Sequence, residues 1–333
     1  MPMLYAAGPD RGADRPAHVR AASGLAWIGE RLAVVQDDAN FVALVDVATG
    51  AAEAVALPRG AGGLRLFDRT RGNKAQKLDL EALVRVPGLA GARLLALGSG
   101  STANRHWIAL ISGLESPNGA PVAVAMHQAE AFYARLIDAT AFAGSELNIE
   151  GATFLGDRLR LFGRGNGAVR GEVLPVNATC NVDWSRLEAH LASPESVPAP
   201  APSEITQYEL GTLDGIRLGF TDAALQSTDR NDGTASTLYS AAAEASPDAT
   251  RDGTVAGSAI GIIVDAPGTA AARWIELMAE DGRPFRGKVE GIAVDPRSPG
   301  CVYVAVDRDD HEQPSVLCEV VLSGPWAPAY PTS

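Results

Sequence analysis

Residues 149–166 read IEGATFLGDRLRLFGRGN: an acid and a small residue open one strand-like run, and a turn at Gly-Asp leads into a second run. Similar pairs of runs recur along the chain, and such internal repetition is the sequence signature of repeat architectures. The other four copies are SGLAWIGERLAVVQDD from Ser23, LEALVRVPGLAGARLLALGSGS from Leu80, TDAALQSTDRNDGTASTLYSAAAE from Thr221 and VEGIAVDPRSPGCVYVAVDRDD from Val289.

The spacing of the copies indicates the kind of repeat. The polar residues at their heads are separated by 58, 69, 72 and 68 residues, and these residues are Ser23, Glu81, Glu150, Asp222 and Glu290. Minimal propeller blades take about 40 to 50 residues, so this spacing is typical of blades with long loops. Most copies continue into a third strand-like run, as in FVALVDV, HWIALI and SVLCEVVL. We therefore predict an all-β fold in one domain, residues 1–333: a five-bladed β-propeller, with six blades as the alternative.

The ends of the chain and one insertion complete this prediction. The last copy has room for about three strands, so we expect the amino-terminal segment to supply the missing strand and close the ring, which removes exposed sheet edges. Residues 183–204 are an insertion. They comprise a short amphipathic helix at 183–191, capped by Asp183 or Ser185, and a Pro/Ala loop at 193–204.

Composition excludes several classes of protein. The formal net charge of −12 and the pI of about 4.9 argue against a nucleic-acid-binding protein, because phosphate backbones require a basic surface. No apolar run approaches the roughly 18 residues of a membrane span, and the amino terminus does not read as a secretion signal. Cys180, Cys301 and Cys318 form neither a CxxC motif nor a disulfide framework. We expect a cytoplasmic monomer with reduced thiols that binds neither nucleic acid nor membrane.

The heads of the five copies predict a metal site. The first strand of each propeller blade lines the central channel, so equivalent positions converge on the axis. Converging carboxylates repel one another and lose solvation unless a cation compensates them. Calcium accepts six to eight oxygen ligands in irregular geometry, and magnesium is the lesser option. We predict Ca²⁺ bound by Ser23, Glu81, Glu150, Asp222 and Glu290; the alternative is that these acids cap turns or face water without a metal.

Loops on one face of the predicted propeller carry candidate catalytic residues. In this topology the loops that lead into the first strands and those between second and third strands open on the same side. Lys77, Arg164 and Lys288 would neutralise a small anionic ligand there, and Asp37, Asp38 or Asp309 would serve as general base. The alternative is a solvated polar rim around a noncatalytic propeller whose calcium is structural and whose face binds a ligand or partner.

The order SGLAW, LEALV, IEGATF, TDAAL and VEGIAVD resembles the calcium-dependent nucleotidase (apyrase) family of five-bladed propellers. That resemblance implies a central calcium held from successive first strands by Ser23, Glu81, Glu150, Asp222 and Glu290, with Asp222 where the family usually has serine. Residues 1–22 contain no counterpart of the family's amino-terminal catalytic aspartate segment. Residues 148–166 also resemble uncharacterised bacterial phytase-like and esterase-like propellers. The expected activity is metal-dependent hydrolysis of a small phosphate ester, with a lactonase or esterase as a further alternative.

Overall fold

Five small sheets, one from each sequence copy, surround a common axis in the computed structural model. The prediction of a five-bladed β-propeller is confirmed, and the six-bladed alternative is wrong. The structure describes residues 1–88, 92–115, 121–228, 235–266, 269–298 and 300–326.

The blades follow one another along the chain, and each runs from the axis outward except that the short β14 of blade 4 precedes its innermost strand. Blade 1 follows the short β1 (Leu4–Tyr5) and contains β2 (Ala22–Ile28), β3 (Arg31–Gln36), β4 (Phe41–Val45) and β5 (Ala51–Ala56). Blade 2 contains β6 (Leu80–Val86), β7 (Arg93–Gly98), β8 (Trp107–Ser112) and β9 (Ala123–Gln128), and blade 3 contains β10 (Ile149–Leu155), β11 (Arg158–Gly163), β12 (Asn177–Asp183) and β13 (Ser203–Tyr208). Blade 4 contains β14 (Thr212–Leu213), β15 (Ile216–Thr228), β16 (Ala235–Glu244), β17 (Val255–Ala266) and β18 (Thr269–Glu276), and blade 5 contains β19 (Lys288–Val294), β20 (Cys301–Asp307) and β21 (Val316–Val321).

The hydrophobic core lies between the blades. Each sheet packs against both neighbours, so the second and third strands are apolar on both faces and read as continuous runs, as in LAVV of β3 and FVALV of β4. One core layer joins blades 5 and 1 through Ala293 and Leu25, and another joins blades 1 and 2 through Ala33 and Leu94. Three further layers fill the remaining gaps between neighbouring blades. The free cysteines lie in such layers: Cys180 and Cys301 are buried, and Cys318 is half-buried.

The amino-terminal segment joins the two ends of the ring, as predicted, but chiefly through blade 1. The innermost strands contact one another in the order β2, β6, β10, β15, β19 and back to β2. Pro2 forms a single bridge with Val316 of the three-stranded blade 5, and the Met3 N–H donates to the Ser315 carbonyl at 3.0 Å. The chain then runs parallel to β5 as β1, which makes it the outer strand of blade 1.

Three α-helices interrupt the strands in the described part of the chain, and only one of them was expected. The insertion forms α3 (Trp184–Ala192), where the Asp183 carboxylate caps the helix by accepting the Arg186 N–H at 2.9 Å. The predicted loop is shorter than expected, since β13 begins at Ser203. Between blades 2 and 3 the chain forms α1 (Glu130–Asp138) and α2 (Thr140–Ala143), which bury Phe132, Tyr133 and Phe142. None of the described helices is long and apolar enough to cross a membrane.

Each innermost strand carries a β-bulge at the head of its sequence copy. The ladder shifts between Leu80 and Ala82, between Ile149 and Gly151, and between Val289 and Gly291, which leaves Glu81, Glu150 and Glu290 as the extra residues. In blade 1 the shift leaves Ser23 and Gly24 against one partner. In blade 4 the shift falls between Phe220 and Asp222. Thr221, and not Asp222, is therefore the structural equivalent of Glu150, which corrects the predicted alignment by one residue.

The residue after each bulge is small wherever the innermost strands approach one another. A Cβ atom added to Gly24 would lie 2.6 Å from the Glu81 carbonyl oxygen, and one added to Gly151 would lie 2.9 Å from the Ala223 nitrogen. A Cβ at Gly291 would lie 2.3 Å from the Ser23 carbonyl oxygen. This layer of the channel thus has room for one large side chain, and that side chain is Asp222.

Gly291→Ala is expected to destabilise the propeller by about 1 to 3 kcal/mol, because backbone atoms of two neighbouring strands must separate to admit the methyl group. Urea unfolding of the variant measures this loss. Gly12→Ala is the matched control, since its Cβ would meet only the Asp10 side chain at 3.3 Å. Equal stability of the two variants would contradict the close approach of β19 and β2.

Candidate functional site

A pocket of about 340 Å³ opens at one end of the channel. Among the described residues its lining includes twelve Asp and Glu carboxylates and seven Lys and Arg side chains, an excess of acid in a confined space. Ten of the eleven predicted site residues line it, and these are Ser23, Asp37, Asp38, Lys77, Glu81, Glu150, Arg164, Lys288, Glu290 and Asp309. Asp222 does not.

A spacing of two residues relates several of these side chains at the entrances to the innermost strands. Lys77 and Asp79 lie just before β6, and Asn148 lies just before β10. Lys77, Asp79 and Glu81 alternate with Leu78 and Leu80 at the start of blade 2. Asn148 precedes Glu150, and Lys288 precedes Glu290, with the same spacing. A polar residue two positions before the bulge therefore accompanies each glutamate.

Three glutamates and one serine, which we call the ring, lie at the bulges of four blades: Ser23, Glu81, Glu150 and Glu290. Ser23 Oγ donates to Glu81 Oε2 at 2.6 Å. Asn148 Nδ2 donates to Glu150 Oε1, also at 2.6 Å. Lys288 Nζ lies 2.7 Å from Glu290 Oε1. Each ring carboxylate thus keeps one oxygen in a contact that fixes its orientation.

The three ring glutamates all have raised pKa values, because nearby cations do not fully offset burial and mutual repulsion. Burial, together with the carboxylates of Asp79 and Glu150, raises the pKa of Glu81 well above its usual value. Burial also raises the pKa of Glu150 to about 8, although Arg164 opposes this shift. The pKa of Glu290 is raised by burial as well, and within the described chain its buried Oε2 has no hydrogen-bond partner. A buried carboxylate oxygen without a partner, such as Glu290 Oε2, is the kind of ligand that a hard cation takes.

Three cations with at most 10% of the side chain exposed connect the ring to outer acids, and these are Lys77, Arg164 and Lys288. Lys77 Nζ lies 2.5 Å from both Asp37 Oδ2 and Asp79 Oδ1. Burial lowers the pKa of Lys77, but Asp37 and Asp79 raise it well above its usual value.

Glu244, at the end of β16, joins the other two cations. Its Oε2 accepts from Arg164 Nη2 at 2.7 Å and lies 3.4 Å from Lys288 Nζ. Burial raises the pKa of Glu244, but Arg164 and Lys288 outweigh it and lower the pKa overall. Glu244 therefore stays ionised and holds both cations beside Glu150 and Glu290.

The three candidate bases differ in their contacts. Both carboxylate oxygens of Asp38 accept from the Arg20 guanidinium, so this pair holds the carboxylate in place and Asp38 is poorly suited to move a proton. Burial and the neighbouring Asp37 raise the pKa of Asp38 to about 6. The side chains of Asp37 and Asp309 are 25% and 38% exposed, and both face the pocket. Asp37 and Asp309 are therefore the accessible acids.

Asp222 lies inside the propeller, apart from the pocket, and joins three strands. Its Oδ2 accepts from the Ile292 N–H of β19 at 2.9 Å and the Leu25 N–H of β2 at 3.2 Å. Its Oδ1 accepts from its neighbour Ala223 at 2.8 Å. Burial raises the pKa of Asp222 well above its usual value, against the lowering effect of these N–H groups. The oxygens predicted to bind calcium are thus engaged by the backbone, and we leave Asp222 out of the ring.

Asp79 is a site residue that the sequence analysis missed. It is buried, has a left-handed backbone with φ of 56°, and binds Lys77, Arg105 and Ser99. Burial raises the pKa of Asp79, but Lys77 and Arg105 outweigh it and lower the pKa overall. A left-handed aspartate is uncommon and is often found at functional sites. The signal available in the sequence was the alternation Lys77-Leu78-Asp79-Leu80-Glu81.

Two groups of carboxylate oxygens in the pocket are candidates for binding a metal. One oxygen each of Asp37, Asp79 and Glu81 lie within 4.8 Å of one another. The Lys77 ammonium group already lies against two of those carboxylates, so this cluster has a cation of its own. The ring instead offers an unpartnered oxygen on Glu290 and two further carboxylates with raised pKa values. The ring thus offers carboxylate oxygens, which are the donors that an oxygen-preferring divalent cation takes, although among the described residues only Asp37, Asp79 and Glu81 bring three such oxygens within 4.8 Å of one another.

Without such a cation, the free energy of unfolding is expected to fall as pH rises from about 4.3, the reference pKa of an unfolded Glu, towards about 8, the raised pKa of Glu150. In that interval the unfolded chain has released a proton that folded Glu150 retains, so each step up in pH favours unfolding. The slope from one group is at most about 1.4 kcal/mol per pH unit. Urea titrations in EDTA between pH 5 and 8 measure it, and Glu150→Gln is expected to flatten it. A stability that rises with pH in EDTA would contradict the uncompensated ring.

Fold and site together define a five-bladed β-propeller with a charged pocket at one end of its channel. Residues 18–322 match the family model of DUF6929, a family of unknown function, and the chain belongs to that family. Comparison with curated proteins gave no match.

Solved structures with a similar fold include enzymes of different kinds. A thermostable family-43 glycoside hydrolase matches with 15% identity and a TM-score of 0.45, over 93% of this chain and 95% of that one. The arabinanase Arb43A of Bacillus subtilis matches with 11% identity and a TM-score of 0.41, over 92% and 94%. Hydrazine synthase of Kuenenia stuttgartiensis matches with 12% identity and a TM-score of 0.40, over 91% and 87%. At these values the likeness concerns the fold alone, and none of the three is a nucleotidase or phytase.

Proposed function

We propose that this protein is a calcium-dependent hydrolase of a small anionic ester, with the cation held at the ring by Ser23, Glu81, Glu150 and Glu290. The observation that carries the proposal is the ring itself: Glu150 and Glu290 are buried, Glu81 is partly buried, and all three have raised pKa values and line the same pocket. A cation there offsets repulsion that would otherwise oppose folding. Magnesium is the lesser candidate, because its octahedral geometry is less tolerant of an irregular donor set.

The residues of the pocket have distinct roles in this proposal. Bound calcium would supply a Lewis acid that polarises the scissile group or lowers the pKa of a water molecule. Arg164 and Lys288 stand beside ring carboxylates and would neutralise negative charge on the substrate. Asp37 or Asp309 would accept a proton, because both side chains are partly exposed and line the pocket.

The pocket wall bears on the class of substrate. Of the described residues that line it, Phe67 alone carries a benzene, phenol or indole ring. Nucleobases and sugars are commonly held by stacking on such rings. The wall therefore favours a compact, polar ester, such as a small phosphate monoester, over a nucleotide. This preference departs from what the nucleotidase resemblance implied.

A hydrolysis screen tests the proposal. Purified protein with calcium is assayed on small phosphate monoesters, nucleotides and lactones, and each assay is repeated in excess EDTA. We expect hydrolysis of phosphate monoesters that EDTA abolishes and added calcium restores, and a loss of at least about 100-fold in Asp37→Asn or Asp309→Asn, as expected for removal of a general base. Arg31→Gln is a control, since Arg31 pairs with Glu53 on an outer blade surface.

Two results would contradict the proposal in different ways. Activity that survives complete removal of divalent ions would exclude the metal-dependent mechanism. Calcium binding without turnover of any of the three substrate classes would favour the noncatalytic propeller with structural calcium.

A further inference from the structure

Two loops from blades that are not neighbours meet over the pocket. The blade 2 loop, residues 68–77, leads into β6, and the blade 4 loop, residues 245–254, joins β16 to β17. Asp252 of the blade 4 loop lies with its Oδ2 2.9 Å from Lys74 Nζ and 3.6 Å from Arg69 Nη2 of the blade 2 loop. All three side chains line the pocket. Because blade 3 lies between the two blades, this contact spans the pocket mouth.

Lys74 and Arg69 differ from the deeper cations of the pocket. Lys77, Arg164 and Lys288 have side chains that are at most 10% exposed, and each contacts at least two carboxylates. Lys74 and Arg69 are 31% and 75% exposed, and within the described part of the chain Asp252 is their one acidic partner. If Asp252 moved away, two cations at the mouth would have no counter-ion.

Asp252 is placed where an external anion would be attracted. Partial burial raises its pKa, but Lys74 outweighs this effect and lowers the pKa overall, with smaller contributions from Lys288 and Lys77. The carboxylate therefore experiences the field of cations from both the mouth and the floor of the pocket. A carboxylate is also an oxyanion of the same chemical kind as the acidic groups of small ligands.

We infer that Lys74 and Arg69 form an anion-binding subsite at the pocket mouth, which Asp252 occupies in this structure and which the phosphate or carboxylate group of a small ligand takes by displacing Asp252. The inference rests on the proposed function in one respect, that the ligand of this pocket is a small anion.

The blade 4 loop is held so that Asp252 can leave while the base of the loop stays in place. At the base, the Ala245 N–H donates to the Thr254 carbonyl at 3.0 Å, and the Gly253 N–H donates to Glu244 Oε1 at 2.7 Å. On the blade 3 side, the Ala249 N–H donates to Glu146 Oε2 at 3.0 Å. The contacts across the mouth are ion pairs between partly exposed groups, which are weak and sensitive to salt.

Phosphate binding tests the subsite without any metal or reaction. Isothermal titration calorimetry with inorganic phosphate is performed in EDTA at low ionic strength on the wild type, Asp252→Asn and the double variant Arg69→Gln/Lys74→Gln. We expect Asp252→Asn to bind phosphate about five-fold more tightly, which corresponds to removal of a competitor worth about 1 kcal/mol. The double variant is expected to lose phosphate binding.

Asp310→Asn is the matched control, because Asp310 lines the same pocket but bonds within its own loop to the Glu312 N–H and the Gln313 side chain. If Asp310→Asn tightens phosphate binding as much as Asp252→Asn, the effect is general electrostatics and the subsite is wrong. Equal phosphate affinity in the wild type and the double variant also overturns it. If the hydrolysis screen shows no turnover but the variants have the expected phosphate affinities, the proposed reaction is wrong and the subsite is still supported.

Limited trypsin digestion gives an independent readout. Asp252→Asn is expected to speed cleavage at the basic residues of the blade 2 loop several-fold, and the wild type is expected to approach this rate in high salt. Cleavage that is unchanged in Asp252→Asn would contradict a contact between the two loops across the mouth.

Discussion

Replacement of Asp222 by alanine is expected to lower the free energy of unfolding by about 3 to 6 kcal/mol. The variant leaves three backbone N–H groups, those of Leu25, Ala223 and Ile292, without their acceptor. Each buried donor that loses its partner costs about 1 to 3 kcal/mol, and whole domains are stable by only about 5 to 15 kcal/mol. Urea or thermal unfolding measures the decrease in the free energy of unfolding. A variant that fails to accumulate in folded form agrees with the upper end of the expected range.

Two companion variants make the Asp222 experiment specific. Asp222→Asn keeps one carbonyl oxygen for two of the N–H groups but sets an amide NH₂ against the third, so an intermediate loss is expected. Thr221→Val removes the adjacent buried hydroxyl, which donates to Ser240 Oγ at 2.9 Å, and is expected to cost about 1 kcal/mol. If Asp222→Ala costs no more than Thr221→Val, Asp222 does not tie the inner strands together.

Calcium is expected to stabilise the wild type by about 2.7 kcal/mol when it is present at 100 times its dissociation constant. Replacement of a ring glutamate by glutamine is expected to change how stability depends on calcium. Glu150→Gln and Glu290→Gln are expected to match or exceed the wild type in EDTA, because repulsion between carboxylates is relieved, and to lose most of the response to calcium. Thermal unfolding in EDTA and in calcium, together with metal analysis of the purified protein, measures both effects.

Controls separate ring membership from general charge. Glu53→Gln removes one carboxylate from an exposed pair with Arg31 and is expected to leave the calcium response unchanged. Asp222→Asn, if it folds, is also expected to keep the response, since Asp222 lies outside the ring. A protein that carries no divalent ion and a Glu150→Gln variant with the wild-type calcium response would together refute the metal site.

The local sequence pattern located most of the candidate site because the propeller repeats one geometry. Ser23, Glu81, Glu150 and Glu290 share a position relative to the first turn of each copy, so finding the repeat was sufficient to predict that they converge. The same rule for the two sets of loops that open on one face predicted the others, which are Asp37, Asp38, Lys77, Arg164, Lys288 and Asp309. Ten predicted residues line one pocket for this reason.

The sequence did not predict which charged residues pair with one another. Asp38 and Asp37 are adjacent in the chain, yet Asp38 binds Arg20 and Asp37 binds Lys77, because neighbouring residues of a loop point in different directions. Asp252 meets Lys74 only because blades 2 and 4 bring distant segments to the same pocket mouth. Neither pairing leaves a periodic signal in the sequence.

The repeat by itself determined the all-β propeller fold and the concentration of acid at one end of the axis, and it favoured five blades over six, since these depend on hydrophobic alternation and turn spacing within each copy. Only the tertiary structure decided that Thr221, and not Asp222, occupies the bulge of blade 4. A one-residue shift of a bulge turns a side chain to the other face of the strand without changing the composition or the spacing enough to be detected in the sequence. The same packing of innermost strands, with Gly24, Gly151 and Gly291 around one carboxylate, turned Asp222 from an expected metal ligand into an acceptor for the backbone of three strands.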